Sequence, residues 1–140
     1  MKKILITAMM IITLPALAEP KFVYLNCALV LTSSGTLFST KTENKTESVR
    51  INLSTGIADG GGIASFISQA SEFQPTVTNF EIKGSGRGTV AWLGQDTKMY
   101  GIFSVNRFSG KYFATSKIEF VSGFTEYLED GICTKADRAF

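Results

Sequence analysis

From residue 21 to residue 134 the chain is written as short alternating runs divided by turn residues, and this rhythm restricts the fold more than any other feature. Residues 21–32 (KFVYLNCALVLT) are rich in β-branched and aromatic side chains. Val49, Ile51 and Leu53 alternate with Arg50 and Asn52, the period of a half-buried strand, and Ser54-Thr55-Gly56 then supplies a turn. Further strands are expected over 76–83, 88–93, 98–105, 111–121 and 124–134. Between them stand Gly84-Ser85-Gly86, Gly94-Gln95-Asp96, Asn106-Arg107-Phe108-Ser109-Gly110 and Ser122-Gly123. Short strands joined by short turns predict an all-β fold, an antiparallel meander of about 7–8 strands closing as a small barrel or packing as a sandwich.

One segment reads two ways. Ile63, Phe66, Ile67, Ala70 and Phe73 fall on one helical face after a glycine run, which fits a short helix near 63–73. Ser65, Ser68 and Ser71 are only modest helix formers, so an irregular edge strand fits as well.

The first eighteen residues have the form of a signal peptide. Lys2 and Lys3 make a positive start, Ile4 to Leu14 is apolar apart from Thr7 and Thr13, and Ala16-Leu17-Ala18 offers the small residues of a cleavage site. The apolar run is shorter than the roughly 20 residues that span a bilayer. The expectation is therefore cleavage after Ala18 in a bacterial envelope, a periplasmic or secreted product that does not span the membrane, and a single β domain over 19–140. No cysteine stands directly after Ala18, which argues against a lipid-modified N-terminus. Without Lys2 and Lys3, 12 of the 14 basic residues remain against 12 acidic ones, so the mature chain is formally neutral. Neutrality without a basic cluster argues against nucleic acid as a partner.

Cys27 and Cys133 lie near the two ends of the mature segment, so a bond between them would tie the first strand to the last, where a closing barrel brings its ends together. In an oxidising compartment they are expected to bond to each other, and closing a loop of about 100 residues stabilises a fold by roughly 4–5 kcal/mol in the chain-entropy model. A redox or nucleophilic thiol needs an activating neighbour or a Cys-x-x-Cys spacing, and the chain has no histidine and no such spacing.

The Asn106–Gly110 hairpin is the candidate binding feature. Gly110 can take positive φ where the next strand begins, Asn106 can bond its own turn backbone, and Arg107 is either a ligand-binding cation or the partner of an acidic neighbour. Gly84-Ser85-Gly86-Arg87-Gly88 lacks the following helix that a phosphate-binding loop requires, and is expected to be a hairpin. Asn44-Lys45-Thr46 and Asn52-Leu53-Ser54 match glycosylation acceptors only as chance triplets in a bacterial chain. Glu126, Glu129 and Asp130 read as a solvated strand face rather than a calcium loop. Counting back from Phe140 by twos gives Arg138, Ala136 and Thr134, which is no lipid-facing stripe of a membrane barrel.

Leu25-Asn26-Cys27, the Asn106-Arg107-Phe108-Ser109-Gly110 hairpin, Gly131-Ile132-Cys133 and the terminal Phe140 together resemble a group of small uncharacterised exported bacterial proteins with a late Asn/Asp-Arg-x-Thr/Ser-Gly hairpin and a Gly-x-Cys…Phe ending. The likeness covers both ends and the last third of the chain. It implies export, a disulfide and a β fold, and it adds no chemistry.

Two classes of function follow. The first is a non-catalytic binding or structural barrel without cofactor or metal. Its eleven phenylalanines and one tryptophan are either core or the lining of a site for a small apolar ligand or an envelope protein. A lysozyme inhibitor is the protein-binding variant: that family is similar in its early and late cysteines, but its Ser-x-Ser-Gly-x-x-Tyr segment is missing here. The second is a secreted hydrolase. Without histidine it is left with a carboxylate pair, such as Glu119 with Glu126 or Glu81 with Asp96. The first class is the expectation, and the chain is read as no enzyme.

Overall fold

The computed structural model describes residues 22–36, 38–92 and 94–136; the expected signal peptide (1–18) and Phe140 lie outside the described residues. The elements run β1 (Phe22–Gly35), β2 (Phe38–Asn52), β3 (Ala58–Asp59), α1 (Gly62–Ser68), β4 (Glu72–Val77), β5 (Glu81–Trp92), β6 (Gln95–Asn106), β7 (Lys111–Phe120) and β8 (Gly123–Lys135). The eight strands form one antiparallel sheet in the order β3-β2-β1-β8-β7-β6-β5-β4, curled into a half-barrel. The expected all-β meander is thus the fold, and a single curled sheet takes the place of a sandwich.

Period-two alternation sets the inner face. Leu25, Cys27 and Leu29 of β1, Val49 and Ile51 of β2, Met99, Phe103 and Val105 of β6, and Tyr112, Ala114 and Ile118 of β7 are all buried. Phe73 of β4 stacks on Phe103, with ring centroids 6.3 Å apart. The ambiguous segment resolves into both of its readings in succession: α1 carries Ile63, Ala64 and Ile67 into the core, and β4 follows as an edge strand from Glu72. Because β3 and β4 are the two edges, residues 60–71 carry the chain from one rim of the half-barrel to the other, and α1 packs against β2, β3, β5, β6, β7 and β8 on the way.

Three expectations need correcting. The run 76–83 is not one strand: Thr78 Oγ1 accepts from the backbone N–H groups of Phe80 and Glu81, and this side-chain turn ends β4 and restarts the chain as β5. The glycines at 84–88 do not form a hairpin. β5 runs straight through them, paired with β4 on one side and β6 on the other. Their role is space: a Cβ on Gly86 would strike the carbonyl oxygen of Ile67 in α1, and one on Gly84 would strike the Phe103 and Phe73 rings. Gly101, the register partner of Gly86, is likewise covered by the Ile67 side chain.

The third correction concerns where the disulfide acts. Cys27 and Cys133 are bonded, 106 residues apart in sequence and directly opposite in the β1–β8 register, so the bond does tie the first strand to the last. That seam lies inside the sheet, whose free edges are β3 and β4, and not where a barrel would close.

Candidate functional site

The hairpin singled out in the sequence is a well-bonded turn. Asn106 Oδ1 accepts from the N–H groups of Phe108 (3.0 Å) and Ser109 (2.9 Å), and Gly110 has φ 72°. Among the described residues Arg107 forms no salt bridge; its Nη1 donates to the carbonyl oxygen of Thr78 at 2.7 Å, fastening the β6–β7 turn to the β4–β5 turn. Asn106, Arg107 and Gly110 border a pocket of about 420 Å³ beside Cys133. The exposed rings of Phe80 and Phe108 meet at the tips of these two turns, 5.5 Å between centroids.

A second cavity, of about 260 Å³, opens on the inner face beside the start of α1. Its apolar walls are Leu31, Ile63, Phe66 and Ile118, its rim carries Tyr127, and its polar groups are Lys45, Glu47, Ser116 and Glu129. Strand parity puts the polar groups there. Lys45 and Glu47 share the inner face of β2 with Val49 and Ile51, and Glu129 shares that of β8 with Cys133.

Glu129 is fully buried (0 % exposed) and holds this corner together. Its Oε2 accepts from the Tyr112 hydroxyl at 2.9 Å and from the Ile63 N–H at 3.3 Å, so a β8 carboxylate satisfies an opening amide of a helix whose own cap position, Gly61, offers no side chain. Its Oε1 is ion-paired with the Lys45 ammonium, whose Nζ lies 2.5 Å away. The same ammonium donates to Glu47 Oε1 at 2.7 Å. Gly62, at φ 73°, lets the helix start against Glu47, whose carboxylate a Cβ there would hit.

Two further oxygens in this cavity, Glu47 Oε2 and Ser116 Oγ, are buried without a hydrogen-bond partner in the protein. Burial alone would lower the pKa of Lys45, but its contacts with Glu129 and Glu47 outweigh that and hold it above the usual lysine value. Burial, reinforced by the Glu129 charge, pushes the Tyr112 hydroxyl far above the usual tyrosine range.

The register separates one of the carboxylate pairs considered from sequence and brings the other onto one strand face. Glu81 and Asp96 sit at opposite ends of the β5–β6 ladder, where Glu81 faces Asn106 and Asp96 faces Ala91, roughly 30 Å apart at the usual rise per residue. Glu119 and Glu126 lie on the outer face beside Lys117, which is the register partner of Glu126. The acidic group Glu126, Glu129, Asp130 is split by alternation: Glu126 and Asp130 are exposed, whereas Glu129 points inward, so the reading of all three as a solvated face is wrong for Glu129. Lys45, Glu47, Tyr112 and Ser116 were not foreseen as site residues, although counting by twos from Ile51 and from Cys133 leads to Lys45, Glu47 and Glu129.

No helix of the described residues is long and apolar enough to cross a membrane, and the described residues hold no cluster of three or more potential metal ligands. No protein-family model, no curated protein and no solved structure matches the chain.

Proposed function

We propose that the chain is exported, loses residues 1–18 after Ala18, and serves outside the cytoplasm as a non-catalytic binding module that takes a small ligand into the inner cavity beside α1. The observation that carries this reading is one apolar-walled cavity of about 260 Å³ whose lining residues Glu47 and Ser116 each hold a buried oxygen, Oε2 and Oγ, without a hydrogen-bond partner among the described residues. Leaving such a group unmade costs about 1–3 kcal/mol, and mostly apolar walls with a small number of polar groups are the usual composition of a ligand site. The leader sequence and the Cys27–Cys133 bond support export.

A hydrolase is the second reading, because Glu47 and Glu129 do converge on the cavity. Against it, Lys45 fills the space between the two carboxylates that a scissile bond would need, and Glu129 Oε2 is spent on Tyr112 and Ile63. A protein-binding role of the lysozyme-inhibitor kind would use the outer surface instead, where the Phe80–Phe108 pair is exposed.

The experiment is purification of the oxidised protein from the envelope of a host expressing the full chain, followed by native mass spectrometry. A processed N-terminus at Glu19 with a retained small molecule is the expected result. A stoichiometric protein partner would replace this reading with the inhibitor-like one. Glycoside turnover that disappears in Glu47→Gln would replace it with the hydrolase.

A further inference from the structure

We infer that the ligand of the inner cavity is a compact organic cation: a primary ammonium or similar hydrogen-bond-donating head on a short apolar body. This inference rests on the cavity being a ligand site, and adds the charge and shape of what enters it.

Glu47 and Glu129 together carry two formal negative charges and share one ammonium, that of Lys45, so the corner keeps one formal negative charge. Other cations of the lining strands are paired elsewhere: Lys41, on the same face of β2 but exposed, lies 3.3 Å from Glu43, Arg50 lies 2.6 Å from Asp59, and Lys117 lies 3.9 Å from Glu119. An incoming cation supplies the missing charge, whereas an anion would meet two carboxylates.

Hydrogen bonding points the same way. Glu47 Oε2 can only accept, and Ser116 Oγ, in a residue 3 % exposed, can accept or donate. A protonated amine carries three donors and no acceptor, which matches a carboxylate oxygen and a hydroxyl better than an alcohol with its single donor does. The remaining wall sets the body: Leu31, Ile63, Phe66 and Ile118 are apolar, and about 260 Å³ corresponds to roughly nine waters' share of liquid volume, the size of a short alkyl amine rather than a polymer. The aromatic rings of Phe66 and Tyr127 beside the cavity suit a cation as well as a methylene chain.

The test is calorimetric titration of the oxidised, exported protein with hexylamine, 1-hexanol and hexanoate, repeated on Glu47→Gln and Ser116→Ala. Hexylamine is expected to bind at least tenfold more tightly than 1-hexanol, with no measurable binding of hexanoate. Glu47→Gln should weaken hexylamine at least tenfold and leave 1-hexanol unchanged, and Ser116→Ala should weaken hexylamine by a smaller factor. Ser116→Ala keeps the test usable if Glu47→Gln does not fold. Equal binding of the amine and the alcohol, or no effect of either substitution, would overturn the cation and leave the cavity as an apolar ligand site. Failure of all three probes to bind would overturn the cation and the cavity reading together.

Discussion

Helix α1 rests on two unlike seats. Its middle lies on β5 and β6, where Gly86 and Gly101 remove side chains so that Ile67 can come down onto bare backbone. Its start leans on β8 and β2, where Glu129, Lys45 and Glu47 meet it with charge. The first seat works by shape and is indifferent to pH; the second works by hydrogen bonds and ion pairing and depends on protonation. A helix of seven residues is too short to hold itself in water, so both seats are needed.

The strongest way to break the comparison is Lys45→Met. It leaves Glu129 buried beside Glu47 without a cation, and removing one partner of a buried pair costs about 3–5 kcal/mol, near the upper end only if the site stays dry. Urea unfolding at pH 7 should show that loss. Gly86→Val attacks the other seat. Its overpacking is expected to cost about 1–3 kcal/mol, equally at every pH, with faster amide exchange through α1. A loss that varies with pH would mean the two seats are coupled.

Tyr112→Phe is smaller, about 1 kcal/mol, since Glu129 Oε2 keeps the Ile63 amide. The same network predicts a fall in stability on the alkaline side. An unfolded tyrosine loses its proton near pH 10.0 and an unfolded lysine near 10.5, while folded Tyr112 and Lys45 both hold theirs to higher pH. Above about pH 10 the unfolded chain therefore binds fewer protons than the folded one, and stability must drop as pH rises. The drop should be shallower in Tyr112→Phe. Arg107→Ala, remote from both seats, removes one exposed bond to Thr78 and is expected to shift the thermal midpoint least.

Much of the fold was legible because alternation and turn chemistry act locally. Asn106 and Gly110 wrote their turn plainly, and Cys27 and Cys133 named their own partnership. The glycines of β5 misled because a glycine read alone signals a turn, and only the helix above them reveals that its use here is clearance. Glu129 was hidden for a similar reason. Next to Glu126 and Asp130 it looked like part of a wet face, yet the disulfide already fixed which way β8 points, and Cys133 minus four is an inward position. Lys45 and Glu47 lie in a stretch of β2 so polar that no strand was expected there. Hairpin pairing with β1 makes it one, from Leu25↔Val49 out to Ser33↔Lys41.

The position of the disulfide seam also fixes an order in time. β1 can pair with β2 as soon as residue 52 is available, but its other edge has no partner until β8, whose register partners lie about 90 to 110 residues further on, arrives. A chain delivered from its N-terminus therefore carries an open strand edge through most of its assembly, the condition under which chains pair with one another instead of with themselves. The β1–β8 seam cannot close before β8 is available, and the bond across it locks the sheet at that join.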